Sequence, residues 1–232
     1  MLKGIFIDYT GTTVQETGKE IEEVVMRICR SSDLHEPKEA VALWWKWLKE
    51  YEEKSYKESY LTEDEIVDRV LEHLKKDINL RENFEELHGL FQQFWIHAPA
   101  FPEVRDFFER CPLPIYIISN NGIQYLEKAM EDKGLTPVGL ICADMVKAYK
   151  PHRELFEKAL QVSGFSADEV LHVGDSYSSD IIGAKSAGIT PVLVQRTGGK
   201  TYPDVTTVRN LMEVLPLIQE EIQSMSNIVR HI

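Results

Sequence analysis

The segment Ile5-Phe6-Ile7-Asp8, together with the turn that follows it through Thr13, constrains the fold of this chain more than any other. A short apolar run bounded by a turn signal is typical of a buried strand. The run ends on Asp8, which places a carboxylate at the carboxyl end of a core strand, the edge where ligands bind open α/β sheets. Gly11 permits a sharp turn, and the turn offers hydroxyls and backbone N–H groups to an oxyanion. The alternative is a strand end closed by an Asx-type turn.

The composition limits the classes of partner. The chain has 232 residues, 43% of them hydrophobic, which is enough for one large or two modest domains with a sizeable core. A formal net charge of −12 argues against nucleic acid or an anionic membrane as a partner, because phosphate binding needs a basic face. A small phosphorylated substrate remains compatible with this charge where a bound metal ion supplies local positive charge.

The cysteines and the apolar runs bear on location. Cys29, Cys111 and Cys142 are widely spaced and form neither a metal-type cluster nor an even disulfide set. Cysteines in this pattern are typical of a protein whose thiols stay reduced. No secretory signal precedes the first strand, and no apolar run reaches the roughly 18 residues of a membrane helix. We therefore expect a cytoplasmic protein without membrane association, and the oligomeric state stays open.

Residues 14–99 are highly charged and show helical periodicity throughout. Pro37 fits the first turn of one helix, and Thr62 with Glu65 forms a capping box before another. A further helix presents an apolar side that begins at Phe84. Because no convincing strand interrupts these residues, the segment predicts a separate helical bundle.

Two features of this bundle have alternative interpretations. Trp44, Trp45 and Trp47 could form a ligand cage, but two of the three fit a helix core stripe, which favours packing. The surrounding Lys/Glu-rich stretch is typical of a solvated helix face. Within it, Lys54 or Lys57 could instead point into a cleft.

Beyond residue 100 short apolar runs alternate with amphipathic helices. The runs predict strands over residues 113–118, 138–142, 170–173 and 190–194. Helices are predicted over residues 104–110, 123–133, 180–187 and 210–225, with one more opened by Lys150 and Pro151. This alternation implies parallel βαβ units. We therefore expect an α/β fold, with a Rossmann-like parallel sheet core made of residues 1–13 and 100–232 and an inserted all-helical cap domain over 14–99.

Polar side chains of matching chemistry follow the predicted strands, and parallel strands end at one edge of a sheet. Asp8 and Asp175 supply hard oxygen ligands that suit Mg²⁺, with Asp180 nearby. Ser119 offers a hydroxyl and Lys150 a point charge to a phosphoryl oxygen. Asp8 is then free to attack phosphorus as a carboxylate nucleophile. Each residue alone has a structural alternative, a turn or a surface charge, but their convergence at one edge favours a site.

Four segments resemble, in order, the motifs of the haloacid dehalogenase superfamily. They are residues 5–13, 117–120, 150–151 and 173–180. The resemblance covers residues 2–13 and about 101–194. It implies a Rossmann-like core whose helical insertion after the first motif is a cap that closes over the site and selects the substrate.

The resemblance also implies roles for individual residues. Asp8 is the expected nucleophile, and Thr10, Ser119 and Lys150 complete the expected catalytic set. Substrate contacts are expected from Thr12, Ser119, Asn120 and Lys150. Mg²⁺ ligation is expected from Asp8, the backbone carbonyl of Thr10, Asp175 and Asp180. Asp180 would ligate directly or through water, or else it caps a helix.

Thr10 departs from the pattern of the superfamily's phosphatases. The resemblance leads us to expect a second Asp at this position, two residues after the nucleophile. That Asp donates a proton to the leaving group and later accepts one from water, which a threonine hydroxyl cannot do near neutral pH. Turnover would then be slow unless another group, such as a cap lysine, transfers the proton. Phosphonoacetaldehyde hydrolases have Ala here and use a cap lysine, and cation-pumping ATPases have Thr.

Haloacid dehalogenases proper lack the Gly-Asp-Ser pattern that this chain has at residues 174–176. The resemblance therefore favours the phosphatase/phosphonatase-type branch. The expected function is a Mg²⁺-dependent hydrolase of a small phosphorylated metabolite, a phosphoric monoester phosphatase that forms a phospho-Asp8 intermediate. The alternatives are a C–P bond hydrolase that uses a cap lysine and a weakly catalytic phosphometabolite-binding protein.

Overall fold

A computed structural model describes residues 1–229, which form one six-stranded sheet and nine α-helices. The strands are β1 (Gly4–Asp8), β2 (Ile115–Ser119), β3 (Gly139–Cys142), β4 (Val170–Gly174), β5 (Thr190–Val194) and β6 (Thr206–Val208). They lie in the order β3-β2-β1-β4-β5-β6, and every neighbouring pair is parallel. The predicted α/β fold with a Rossmann-like parallel sheet is confirmed.

The helices fall into two groups. The first group lies between β1 and β2 and forms the helical cap: α1 (Lys19–Arg30), α2 (Pro37–Lys54), α3 (Glu63–Asp77) and α4 (Phe84–His97). The second group belongs to the α/β core: α5 (Val104–Arg110), α6 (Ile123–Lys133), α7 (Arg153–Ser163), α8 (Ile182–Ser186) and α9 (Val214–Val229). None of these described helices combines the length and the apolar composition that crossing a bilayer requires.

Strand β1 lies at the centre of the sheet because its sequence is apolar on both faces. All five of its residues are buried, as expected for a parallel strand covered on both sides. Ile7 pairs with Ile117 of β2 on one side and with Val173 of β4 on the other. The chain adds β2 and β3 on one side of β1 and then returns to place β4 on the other. The order therefore reverses between β1 and β4, which is where ligands bind in such sheets.

The cap helices follow the local signals in the sequence. Pro37 occupies the first turn of α2, and Thr62 and Glu65 form the predicted capping box at α3. The apolar face of α3 is almost wholly buried; its members are Ile66, Val67, Val70, Leu71 and Leu74. Trp44 stacks on Phe91 with ring centroids 4.0 Å apart, which supports packing over a ligand cage.

Two elements differ from the sequence prediction. Strand β6 was not predicted, because its three residues, Thr206–Val208, include only one apolar side chain. The final helix, predicted from residue 210, begins as a 3₁₀ turn capped by Asn210 and becomes α9 at Val214.

The segment around Asp180 also differs from its prediction. A single helix was expected over 180–187, but a π-helical turn, Tyr177–Ile181, precedes α8. Ser176 caps this turn, because its Oγ accepts a hydrogen bond from Ser179 N at 3.2 Å. The alternative of Asp180 as a helix N-cap is therefore wrong. The side chain of Asp180 points back to the strand ends instead.

Candidate active site

Asp8 ends β1 and is only 4% exposed. Thr13 Oγ1 donates to the Asp8 carbonyl oxygen at 2.7 Å, and this hydrogen bond closes the turn after the strand. Gly11 adopts a φ of +89°, and a Cβ there would lie 2.5 Å from Asp175 Oδ2. Glycine at this position therefore allows the β1 turn to approach the carboxylate that follows β4.

Three carboxylates converge at this edge of the sheet. One oxygen from each of Asp8, Asp175 and Asp180 lies within 4.8 Å of the others. A Cβ on Gly174 would lie 2.2 Å from Asp180 Cγ, so that glycine makes room for Asp180 to fold back. Burial, followed by the charges of Asp180 and Glu16, raises the pKa of Asp175 to about 6. The raised pKa shows that the negative charge of this cluster is poorly solvated.

Lys150 provides partial compensation for this charge. It is 6% exposed, and its Nζ donates to Asp8 Oδ1 and, at 2.7 Å, to Asp180 Oδ1. Burial alone would lower the pKa of Lys150, but the charges of Asp180 and Asp8 raise it, so the ammonium persists. Burial also raises the pKa of Asp8, and this effect exceeds the lowering by Lys150. One ammonium does not balance three carboxylates.

Both oxygens of Asp180 are committed to the protein. Oδ1 accepts from Lys150 and from His172 Nε2, the latter at 3.0 Å, and Oδ2 accepts from Ser176 N at 3.0 Å. Burial alone would raise the pKa of Asp180, but Lys150 and His172 together lower it, so Asp180 stays ionised. Its placement suits a group that orients Lys150.

Asp8 and Asp175 keep oxygens that are free to bind a cation. Asp8 Oδ2 is buried and has no hydrogen-bond partner among residues 1–229. Asp175 accepts a single side-chain hydrogen bond in the described chain, from Thr12 Oγ1 at 3.1 Å. Hard carboxylate oxygens in excess of local positive charge fit Mg²⁺. Ligation by Thr10 and Asp180 stays a prediction.

Two of the site hydroxyls converge on Asn121, a residue that the sequence did not single out. Its Oδ1 accepts from Ser119 Oγ at 2.9 Å and from Thr10 Oγ1 at 3.0 Å. Ser119 Oγ in turn accepts from the Asn121 backbone N–H at 3.1 Å. Asn121 thus fixes the orientation of both hydroxyls.

Two consecutive asparagines join this edge to the cap. Asn120 Nδ2 donates to Glu52 Oε1 at 3.1 Å, and Asn121 Nδ2 donates to Glu63 Oε1 at 2.6 Å. Asn120 Oδ1 also accepts from the Lys150 backbone N–H at 2.8 Å. Because a backbone N–H only donates, the contact with Lys150 defines which atom of the Asn120 amide is the oxygen. The cap therefore lies directly over the end of β2.

Tyrosines fasten the cap beside the site. Tyr60 OH donates to Asp144 Oδ1 at 2.7 Å, and Tyr149 OH donates to the Leu61 carbonyl oxygen at 2.9 Å. The rings of Tyr60 and Tyr149 also stack, with centroids 5.3 Å apart. These contacts hold the segment between α2 and α3 against the core.

The sequence did not single out the cap carboxylates that meet the core. Glu52 lies in α2 and Glu63 begins α3, and burial raises the pKa of both, that of Glu52 to about 7. The lysines that the sequence offered lie elsewhere. Lys54 pairs with Glu50 at 2.6 Å, and Lys57 lies 4.0 Å from Glu154.

Comparison with known proteins places this geometry in a family. Residues 2–188 match the haloacid dehalogenase-like hydrolase family, and the chain belongs to it. The superfamily expected from the sequence, and with it a hydrolase, is confirmed. The match does not distinguish dehalogenases from phosphatases.

Individual relatives lie on both sides of that division. The chain is 27% identical to an (S)-2-haloacid dehalogenase of Pseudomonas sp. (strain YL), over 92% of this chain and 94% of the relative. It is 43% identical to a glyceraldehyde 3-phosphate phosphatase of Pyrococcus abyssi, over 23% of this chain and 22% of the relative. The magnesium-bound structure of the HAD-hydrolase YfnB of Bacillus subtilis superposes with a TM-score of 0.77 at 17% identity, covering 94% of this chain and 99% of that one. This last likeness shows the fold.

Proposed function

We propose that the protein is a Mg²⁺-dependent phosphoric monoester phosphatase that acts on a small phosphorylated metabolite through a phospho-Asp8 intermediate. The observation that carries the proposal is the cluster of Asp8, Asp175 and Asp180, whose oxygens lie within 4.8 Å of one another. Lys150 balances only part of this charge, and Asp8 Oδ2 lacks a partner in the described chain. Asp8 and Asp175 would hold a divalent cation, which would balance the rest.

The chain's own residues then perform two displacements. Asp8 attacks phosphorus, an Asp8–phosphorus bond forms, and the bond from phosphorus to the ester oxygen breaks. Water next attacks phospho-Asp8, which releases phosphate and regenerates the carboxylate. Lys150 orients Asp8 and stabilises charge on the phosphoryl oxygens. When bound, Mg²⁺ supplies Lewis-acid stabilisation of the same charge.

Thr12 and Ser119 are the proposed hydroxyl donors to the phosphoryl group. In the structure Thr12 donates to Asp175 and Ser119 donates to Asn121. Each would exchange its present acceptor for a phosphoryl oxygen when substrate binds, since a hydroxyl rotates freely. Asn120 lies beside them, on the Lys150 backbone, and completes the proposed substrate contacts.

A second candidate is a 2-haloacid dehalogenase, which the full-length likeness to the Pseudomonas enzyme favours. In that reaction Asp8 would attack carbon and displace halide from a substrate that carries a carboxylate. One feature weighs against it, because without a cation the three-acid cluster would keep its excess negative charge.

The C–P bond hydrolase alternative depends on a cap lysine. Lys54 and Lys57 are engaged at the surface. Lys49 is the cap lysine whose charge acts on Glu52, which places it nearer the site. Lys49 is therefore the first cap lysine to test for phosphonate cleavage. The weakly catalytic binding protein is distinguished only by turnover.

One substrate panel separates these candidates. Phosphate monoesters, a phosphonate and (S)-2-chloropropionate are each incubated with the protein, with Mg²⁺ or with EDTA, and released phosphate and chloride are measured. We expect phosphate release from monoesters that EDTA abolishes. Metal-independent chloride release would establish the dehalogenase instead. Borohydride inactivation in the presence of a phosphonate that carries a carbonyl group would trap a Schiff base on a cap lysine and mark the C–P bond hydrolase. Binding of phosphate esters without turnover would mark the binding protein.

A further inference from the structure

We propose that Glu52 is the general acid and base of the phosphatase reaction, the proton-transfer role that Thr10 cannot fill. In this role Glu52 touches the substrate's leaving oxygen and later the attacking water. The inference rests on the proposed function above and adds a catalytic residue to it.

The position two residues after the nucleophile leaves this role vacant. Thr10 Oγ1 donates to Asn121 at 3.0 Å, and a hydroxyl cannot exchange a proton near neutral pH as a carboxylate can. A substitute must be a titratable group with a free oxygen that reaches the leaving group. Three carboxylates from the segment between β1 and α5 approach the site: Glu16, Glu52 and Glu63.

Hydrogen bonding excludes Glu63 and placement disfavours Glu16. Glu63 uses both oxygens, because Oε1 accepts from Asn121 and Oε2 accepts from Gly122 N at 2.9 Å. Glu16 is exposed, and its charge acts on Asp175, on the side of the proposed metal.

Glu52 meets the requirement. Its Oε1 accepts from Asn120 at 3.1 Å, and its Oε2 accepts no hydrogen bond from any described residue. Asn120 also binds the Lys150 backbone N–H, and the Lys150 ammonium contacts Asp8. The half-buried carboxylate of Glu52 is thus anchored by Oε1, through the Asn120 amide, to Lys150, and its Oε2 is left free.

The direction of the reaction also favours a donor on the cap. In an in-line displacement the leaving oxygen departs on the side of phosphorus opposite Asp8. Asp8 lies at the end of β1, on the core side of the site. A leaving oxygen on the opposite side of phosphorus therefore faces the cap. Helix α2 carries Glu52 to that side, at the end of β2 beside Ser119.

The surroundings of Glu52 shift its pKa toward a value that suits proton transfer. Burial raises the pKa of Glu52 to about 7, and the charges of Lys150 and Lys49 oppose that rise. On α3, burial and the charge of Glu52 raise the pKa of Glu63. A proton-transfer group is most efficient when its pKa lies near the working pH.

The proton balance closes over the two displacements. Protonated Glu52 gives its proton to the leaving oxygen as the bond from that oxygen to phosphorus breaks, and the alcohol departs. Ionised Glu52 then takes a proton from water as the water oxygen bonds to phosphorus and the Asp8–phosphorus bond breaks. Phosphate leaves, Asp8 is a carboxylate again, and Glu52 is protonated again.

The test compares the wild type with Glu52→Gln on an alkyl phosphate and on p-nitrophenyl phosphate, both with Mg²⁺. We expect kcat on the alkyl ester to fall by about 10²–10⁴-fold. p-Nitrophenolate leaves without proton donation, so the variant should give a burst of product followed by slow dephosphorylation, and the wild type no burst. The pH dependence of kcat/KM near 7 should disappear in the variant.

Three further variants sharpen the result. Glu50 lies on the same helix and pairs with Lys54 at the surface. The control variant Glu50→Gln should therefore have the kcat of the wild type. Glu52→Asp tests whether a shortened carboxylate retains part of the activity, should the amide variant fold poorly by melting temperature. Adding Thr10→Asp to Glu52→Gln should restore at least part of the loss, because it returns a carboxylate to the vacant position.

The outcomes separate this inference from the function on which it rests. If the wild type hydrolyses phosphate esters and Glu52→Gln does so within about threefold, with no burst and the same pH profile, Glu52 is not the acid and base. A loss seen in Glu16→Gln instead would assign the role to Glu16. If the wild type hydrolyses no phosphate ester with Mg²⁺, the proposed phosphatase fails, and this role fails with it.

Discussion

The core and the cap contribute to the site in different ways. The core edge is defined as Asp8, Ser119, Asn120, Lys150 and Asp175. Its members lie at or just after the ends of strands, except Lys150, which lies in the connection from β3 to α7, so the sheet and its connections position this edge. The cap face, meaning Lys49, Glu52 and Glu63, extends from helices, and Glu52 and Glu63 reach the core through asparagine amides. The sheet therefore positions the core edge, whereas the docking of the cap helices positions the cap face.

The two regions also differ in charge compensation. At the core edge Lys150 contacts two carboxylates, and the remaining charge fits a metal ion. On the cap face Glu63 accepts two hydrogen bonds and Glu52 accepts one, and burial raises the pKa of both. Unbalanced negative charge at the core edge thus favours cation binding, whereas the raised pKa values of the carboxyls on the cap face favour proton transfer. The predictions below test this division.

The largest effect is expected from Asp8→Asn. The amide keeps the shape of the side chain but loses the attacking charge, so kcat should fall by about 10⁵-fold or more, as for other covalent nucleophiles. Binding of phosphate, measured by thermal shift, should survive. Asp168→Asn, at an exposed position of the core, is the matched control. Substantial residual phosphatase activity in Asp8→Asn would contradict covalent catalysis.

The next effect concerns the metal. Asp175→Ala removes one of the two carboxylates with free oxygens, so Mg²⁺-dependent activity should fall by more than the roughly 10–100-fold typical of losing a residue behind the ligands. Binding of Mn²⁺, followed by electron paramagnetic resonance, should weaken in parallel. Full turnover of the wild type in EDTA would show that the acid cluster serves another purpose.

Much of the core edge could be predicted from the sequence, and little of the cap face could. Strand ends were predicted within one or two residues, so Asp8 and Asp175 were expected where they lie. Their convergence follows from parallel strands that end at one edge. Helical periodicity identifies the apolar side of a helix but does not say which surface its polar side meets.

The hydrogen bonds of the cap face show why. Glu52 meets Asn120 across 68 positions of sequence, and Glu63 meets Asn121 across 58. These contacts depend on how the cap docks, which no local signal encodes. Asn121 was not predicted as a site residue because it lies within a Ser-Asn-Asn-Gly segment, a sequence that is typical of a turn.

A smaller effect is expected from Glu63→Gln. The carboxylate accepts hydrogen bonds from Asn121 and Gly122 on separate oxygens, and a glutamine amide would face one of those donors with its own N–H. We expect kcat/KM to fall about tenfold, equivalent to roughly 1.4 kcal/mol. Hydrogen exchange at residues 120–125 should rise. Glu58→Gln, exposed between α2 and α3, is the control. An unchanged kcat/KM and exchange rate would mean that this contact does not hold the cap over the site.

The smallest effect lies inside the cap, where charges are paired. His88 lies between Asp64 and Asp68, with a ring nitrogen 2.7 Å from each carboxylate. Burial alone would lower the pKa of His88, but these hydrogen bonds raise it. A raised histidine pKa stabilises the fold fully below the unfolded value of about 6.5, and that stabilisation is lost as pH rises through the folded value.

His88→Gln should therefore lower the free energy of unfolding by about 0.5–1 kcal/mol at pH 5.5, because the pair is partly exposed and screened by solvent. The loss should shrink at pH 8, because a smaller fraction of wild-type His88 is protonated there than at pH 5.5. Urea unfolding at both pH values measures the difference, and kcat should stay unchanged because His88 touches no site residue among those described. Equal destabilisation at both pH values would show that His88 acts through packing. A change in kcat would show that the charges inside the cap and those on the cap face are coupled.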